Sequence, residues 1–184
     1  MKANFTPISQ FNPSFGEKFF CDTNVWLYLF YPQFDRTPQH IIDKYSKLFG
    51  SIKIKGNLIL SHPQMFSEFI NVWLKAEYDK FRKSAHMTLT FKEYRNSEHS
   101  KEALEKIKVV LNKVLECTTI LSGTFTTEEL KEIILNCDKA DFNDLCFVEL
   151  CKQQNCILVS HDIDYNSVTG LSIDIISANN KYVD

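Results

Sequence analysis

Residues 141–162 read Asp141-Phe142-Asn143-Asp144-Leu145-Cys146-Phe147-Val148-Glu149-Leu150-Cys151-Lys152-Gln153-Gln154-Asn155-Cys156-Ile157-Leu158-Val159-Ser160-His161-Asp162. The first half, Asp141 to Lys152, is apolar almost all round, which predicts a buried helix. The second half, Cys156 to Ser160, is a continuous apolar run of the kind found in strands covered on both faces. A buried helix leading into such a strand is the repeating element of an α/β fold.

The same alternation extends outward from this stretch. Lys18-Phe19-Phe20-Cys21 is a short buried strand ending at Asp22, and Val25 to Phe30 is a helix capped by Asp22, Thr23 or Asn24. Thr37-Pro38 starts a second helix, with Pro at the first helical position, predicted to stop at Gly50. Leu58-Ile59-Leu60-Ser61 is another short apolar run. Pro63 then opens a helix through Phe66, Phe69, Ile70, Trp73 and Leu74, spaced 3 and 4 apart. Residues 80–100 are polar and carry no clear period, whereas Ala103, Leu104, Ile107, Val110, Leu111, Val114 and Leu115 form an amphipathic stripe. Thr126 to Glu129 is a capping box ahead of Leu130, Ile133, Ile134 and Cys137, and Ser172 to Ser177 is a last strand. Residues 1–15, with Pro7 and Pro13 and no period, read as an irregular N-terminal arm. The expectation is an α/β fold with a mostly parallel sheet, and one domain over 1–184, because no linker rich in Pro, Gly or Ser divides it.

Composition bounds the function. The chain has 184 residues, 44% hydrophobic and 24% charged, with a formal net charge of −2. Those values exclude disorder, low complexity and a wholly basic nucleic-acid clamp. The net charge conceals a polarity. Residues 1–113 hold 17 Lys/Arg against 11 Asp/Glu, and residues 114–184 hold 4 against 12. Six cysteines form no C-x-x-C pair, so a zinc site is not expected and free thiols in a reducing cytoplasm are. The N-terminus lacks the apolar core of a signal peptide, and no run approaches a membrane span.

In an open parallel sheet, ligands bind at the carboxyl ends of the strands. Four segments bring acids there. The first strand ends in Asp22-Thr23-Asn24, and Glu68 lies two turns into the helix after Ser61. Asp141 and Asp144 open the buried helix, three apart and so on one face, and the strand 156–160 ends in His161-Asp162-Ile163-Asp164. Taken singly, these are N-caps, turn residues or a helix surface group. Taken together, they are mutually repelling carboxylates that call for a cation. An all-oxygen set suits Mg2+ or Mn2+, and carboxylate-bound divalent ions are a standard means of hydrolysing phosphodiesters in line.

Three ordered stretches resemble the PIN-domain nuclease family, which includes the VapC-type toxins. They are Phe20-Cys21-Asp22-Thr23-Asn24, then Ser61-His62-Pro63-Gln64-Met65-Phe66-Ser67-Glu68-Phe69, then Asp141-Phe142-Asn143-Asp144-Leu145 running on to Ser160-His161-Asp162. The resemblance implies a three-layer α/β/α PIN-like fold. It implies that Asp22, Glu68, Asp144 and Asp162 are the catalytic, metal-holding quartet, with Asn24, Asp141, Ser160 and Asp164 auxiliary. It also implies an endoribonuclease that uses Mg2+ or Mn2+ on an RNA substrate and leaves a 5′-phosphate. A homodimer and, for a toxin, a cognate antitoxin would be its partners. Ser160 stands where Thr is commoner, and residues 80–115 exceed a compact toxin as a helical insertion or extension, so a housekeeping RNA-processing nuclease is the alternative.

Lys75, Lys80, Arg82 and Lys83, with Lys92 and Arg95, are candidate phosphate contacts beside this rim, or a solvated helix face. Phe81, Phe91 and Tyr94 fit base stacking or core packing, and core packing is the expectation. His161 is expected to point away from the acids as a turn residue. A catalytically silent RNA- or protein-binding module would have no reason to keep four acids. An aspartyl-phosphate phosphatase wants a second Asp where Asn24 stands.

Overall fold

The computed structural model describes residues 4–31, 37–85, 88–123, 125–167 and 172–182. The strands are β1 (Asn4–Pro7), β2 (Lys18–Cys21), β3 (Leu58–Ser61), β4 (Thr119–Ile120), β5 (Ile157–Val159) and β6 (Asp174–Ser177). The helices are α1 (Thr23–Phe30), α2 (Gln39–Ile54), α3 (Pro63–Ala85), α4 (Phe91–Arg95), α5 (Glu98–Cys117), α6 (Thr127–Leu135) and α7 (Phe142–Gln154). The strands form one sheet in the order β1-β6-β5-β2-β3-β4. Every pairing is parallel, where the sequence predicts a mostly parallel sheet.

Strand order places the site. From β2 the chain steps outward to β3 and β4, then returns through α6 and α7 to β5 on the other side of β2. The direction of winding therefore reverses between β2 and β5, and a crevice opens at their carboxyl ends. Right-handed crossovers put helices of opposite winding on opposite faces. Phe20 of β2 meets Phe147 of α7 at 5.0 Å between ring centroids. Phe19, its neighbour along the strand, points the other way and meets Phe11, which lines a cleft with Leu48 of α2. Both Phe19 and Phe20 are fully buried, as continuous apolar strands require.

Four local readings change. Residues 4–7 are not irregular: they add to the open edge of β6, with Phe5 opposite Ile175 and Pro7 opposite Ser177. Proline is tolerated there because an edge strand leaves one row of N–H groups unpaired. α2 does not stop at Gly50 but runs four residues further, carried by fully buried Ile52. Its stop is Gly56, at φ +69°, where Gly56 N–H bonds Lys53 O at 3.0 Å and Asn57 N–H bonds Ile52 O at 3.2 Å. α7 ends in the same motif, with Asn155 in the left-handed position at φ 48°. Within 80–100, α3 continues to Ala85, and α4 starts at the Thr90–Glu93 capping box. β4, two exposed residues, is too short to show a period.

All six cysteines are free. Among the described residues, no helix is long and apolar enough to cross a membrane.

A β-carbon at Gly50 meets nothing within 4 Å. Gly50→Ala should therefore raise stability by about 0.5–1 kcal/mol in urea denaturation. Gly56→Ala should lower it by roughly 1–2 kcal/mol, because an L-residue is strained at positive φ.

Candidate functional site

Asp22 is the N-cap of α1, placed where β2 ends. Its backbone N–H continues the sheet onto Val159 O at 2.9 Å. Its side chain is 2% exposed, yet both oxygens are occupied. Oδ1 accepts from the Thr23 N–H at 2.6 Å, and Oδ2 accepts from Ser160 Oγ at 2.6 Å and Asn24 Nδ2 at 2.8 Å. Ser160 is wholly buried at the end of β5, and its Oγ also accepts the Asp162 N–H at 3.0 Å. Asn24 spans the same gap, its Oδ1 accepting the His161 N–H at 3.1 Å. The two auxiliary residues thus join the ends of β2 and β5.

The other acids arrive from three elements. Asp144 sits in the first turn of α7 and is buried. Asp141 caps that helix through the Asn143 N–H at 2.8 Å and stays exposed. Glu68 comes from α3 and accepts from Asn143 Nδ2 at 3.1 Å, and Asn143 in turn accepts from Gln64 Nε2 at 2.5 Å. Asp162 Oδ1 accepts the Asp164 N–H at 2.9 Å and so caps the 3-10 turn 164–167. All six carboxylates line one cleft of about 270 Å3 with Thr23, Asn24, Leu27 and Val72, and among the described residues its lining holds no Lys or Arg.

Burial without a neighbouring cation pushes carboxyl pKa values up. Asp22 rises to about 6, chiefly by burial, against the pull of its hydrogen bonds from Ser160 and Thr23. Glu68 rises to about 7 through burial and the charge of Asp22. Asp144 rises to about 8 through burial and the charges of Asp22 and Asp162. At neutral pH the cleft therefore holds protons or a cation. Thr23 Oγ1 is also buried, beside Glu68, with no hydrogen bond of normal geometry. Hard oxygens and carboxyls short of positive charge fit Mg2+ or Mn2+. Among the described residues no three His, Cys, Asp or Glu groups stand as a closed ligand set. An ion held there would keep several waters, the usual habit of Mg2+, with some of the carboxylates reaching it through water.

The predicted basic residues lie outside the cleft. Glu68, Val72, Lys75, Asp79 and Arg82 follow at spacings of 4, 3, 4 and 3, so one stripe of α3 leads from the cleft to Lys75 and Arg82. Lys75 pairs with Asp79 at 3.8 Å and lies over the Tyr78 ring at 4.6 Å. Lys80 faces elsewhere, bonding Glu77 at 2.9 Å and Tyr31 Oη at 2.5 Å. Lys83 is exposed. Tyr94 is buried against Tyr78 and Phe81, and Phe91 packs on Tyr78, so these rings are packing residues. His161 is held away from the acids by Tyr45 Oη at 3.0 Å from its Nδ1, with its ring edge-on to Tyr28.

Sequence reasoning passes over Tyr165, which is 1% exposed. Its Oη lies 3.1 Å from Asp144 Oδ1 and 3.4 Å from Asp22 Oδ2. It also passes over Asn143 and Gln64, which steer Glu68. Tyr165 follows Asp164 directly, but only the turn 164–167 aims it inward.

The sequence model of the PIN domain matches residues 19–171. Among solved structures, VapBC2 from Rickettsia felis bound to a DNA fragment from their promoter aligns with a TM-score of 0.51 at 15% identity, over 86% of this chain and 98% of that one. PAE2754 from Pyrobaculum aerophilum aligns with a TM-score of 0.48 at 15% identity, over 87% of this chain and 83% of that one. No curated protein matches the chain.

Raised carboxyl pKa values mean that the folded state binds more protons than the unfolded one above pH 4. In chelator, stability should fall as pH rises from about 4 through the values of 6, 7 and 8 above. Asp144→Asn should flatten that fall. Urea midpoints at pH 5 and 8.5 measure it, and equal slopes for variant and parent would contradict it.

Proposed function

The chain belongs to the PIN domain family, whose members are generally nucleases, and we propose that it is a Mg2+- or Mn2+-dependent endoribonuclease. One observation carries the proposal. Asp22, Glu68, Asp144 and Asp162, from four separate elements, line one cleft at the point where the sheet reverses its winding. Chain order, residue types and position are those that the family resemblance implies for the acidic quartet.

These four residues would hold the ion. When bound, it would supply charge neutralisation at the phosphate and a lower pKa for the attacking water. The remaining work falls to the chain itself. Ser160 and Asn24 keep Asp22 oriented by donating to Oδ2. Asn143 keeps Glu68 turned toward the cleft. Asp141 and Asp164, both exposed at the mouth, add negative potential that draws cations in. Lys75 and Arg82, one and two steps out along the Glu68 stripe of α3, would receive the phosphates of a single strand leaving the cleft. Lys80, held by Glu77, and Lys83, off the stripe, would contribute less.

One working unit over 1–184, a homodimer, a cytoplasmic location and a cognate antitoxin covering the cleft belong to the same reading. The Rickettsia felis structure supports the antitoxin only as a fold likeness to a VapBC pair on promoter DNA. A role in housekeeping RNA processing is the alternative within the same chemistry.

An end-labelled RNA and the matching DNA, incubated with Mn2+ or Mg2+, test the reaction. Cleavage should be confined to RNA, leave a 5′-phosphate, stop in chelator and fall to background in Asp144→Asn. Ser160→Ala should lose about 10–100-fold, as loss of an outer-shell partner does. Tight RNA binding without turnover in any divalent ion would instead mark a silent module. Lys75→Ala and Arg82→Ala should each reduce the slope of log affinity against log salt by about 0.7. An unchanged slope would remove these residues from the RNA path.

A further inference from the structure

We infer that Tyr165 is a positioning residue of the metal site, its phenol hydroxyl holding Asp144 beside Asp22 in the acidic cleft. This rests on the metal-dependent reading above and adds a residue to it.

The geometry singles out the hydroxyl. Asp22 has three other donors: the Thr23 N–H, Ser160 Oγ and Asn24 Nδ2. Among the described residues Asp144 has one side-chain donor, Tyr165 Oη at 3.1 Å to Oδ1. The same Oη lies 3.4 Å from Asp22 Oδ2, so one proton serves both carboxylates, with the nearer Asp144 as its main acceptor. Two carboxylates without a cation repel, and a carboxylate held by a single bond swings more readily than one held by three. The phenol therefore acts on the member of the pair that the backbone leaves freest.

Its own position is fixed from two sides. The ring is 1% exposed, so packing sets the depth of the hydroxyl. The turn that carries it is closed by Asn166 N–H to Ile163 O at 2.9 Å and capped by Asp162 through the Asp164 N–H. Asp162 thus orients the turn, the turn orients Tyr165, and Tyr165 orients Asp144. Three of the four acids are mechanically linked through this one ring. Glu68 stands outside the link, held instead by Asn143.

Tyr165→Phe keeps the ring and removes only the hydroxyl. Titration calorimetry with Mn2+ should give an affinity about 10–100-fold weaker than that of the parent chain, the usual loss for an outer-shell partner. The rise in melting temperature on adding Mn2+ should shrink relative to that of the parent chain. Raising Mn2+ to saturation should restore RNA cleavage, so the defect appears in the metal requirement rather than in turnover at saturation. A purely structural role would do the reverse: it would lower the melting temperature in chelator and leave the Mn2+ affinity unchanged, which overturns the inference. A parent chain that binds no Mn2+ would overturn the metal-dependent reading itself, and a parent chain that binds it as tightly as Tyr165→Phe would overturn only the role of Tyr165.

Discussion

A carboxylate taken out of water must be given hydrogen-bond donors or a cation, or it takes up a proton and loses its charge. Asp22 is that carboxylate. It is 2% exposed and sits at the end of a strand whose two preceding residues, Phe20 and Cys21, are buried as well. Its donors come from both sides of the crevice: Thr23 and Asn24 follow it on α1, and Ser160 reaches across from β5. The bonds that solvate Asp22 therefore also fasten β2 to β5 beyond the last rung of the sheet ladder. Position of the site and closure of the sheet are the same set of contacts.

Charge distribution follows from that arrangement. The basic front of the chain contributes Asp22 and Glu68 to the cleft while carrying its cations outward along α3. The acidic back contributes Asp144 and Asp162, with Asp141 and Asp164 at the mouth. Among the described residues no Lys or Arg lines the cleft, and burial raises Asp22, Glu68 and Asp144, the last to about 8. Such a cleft is poised between holding protons and holding metal. The near-neutral sum of the whole chain says nothing of this, because it does not show that six carboxylates gather in one cleft.

Much of the fold is legible in residue pattern, for reasons that differ by element. Cys156 to Ser160 reads as a strand because a parallel strand buried on both faces must be apolar at every position. α7 reads as buried because its apolar residues run almost all round it. Gly50 misleads because a glycine's meaning depends on its φ, which sequence does not carry, and Ile52 anchors the turn beyond it. β1 escapes notice because an edge strand borrows its order from β6. The four acids are legible because each sits beside a strand end or helix start that the pattern marks. Tyr165 is not, since an aromatic residue after an acidic turn is more often only core.

The sequence by itself determined the α/β alternation of the central elements, a mostly parallel sheet and the acids at its rim, because these depend on periodicity and on caps that act within a few residues. Tertiary structure alone decided which groups share an atom's neighbourhood. It set Ser160 against Asp22 across 138 positions of chain. It brought Tyr165 between Asp22 and Asp144, and it turned Lys80 away from the cleft while leaving Lys75 and Arg82 on its stripe. Hydrogen bonds require atoms to meet within about 3 Å, and distances of that kind between remote residues are products of packing, which no local pattern contains.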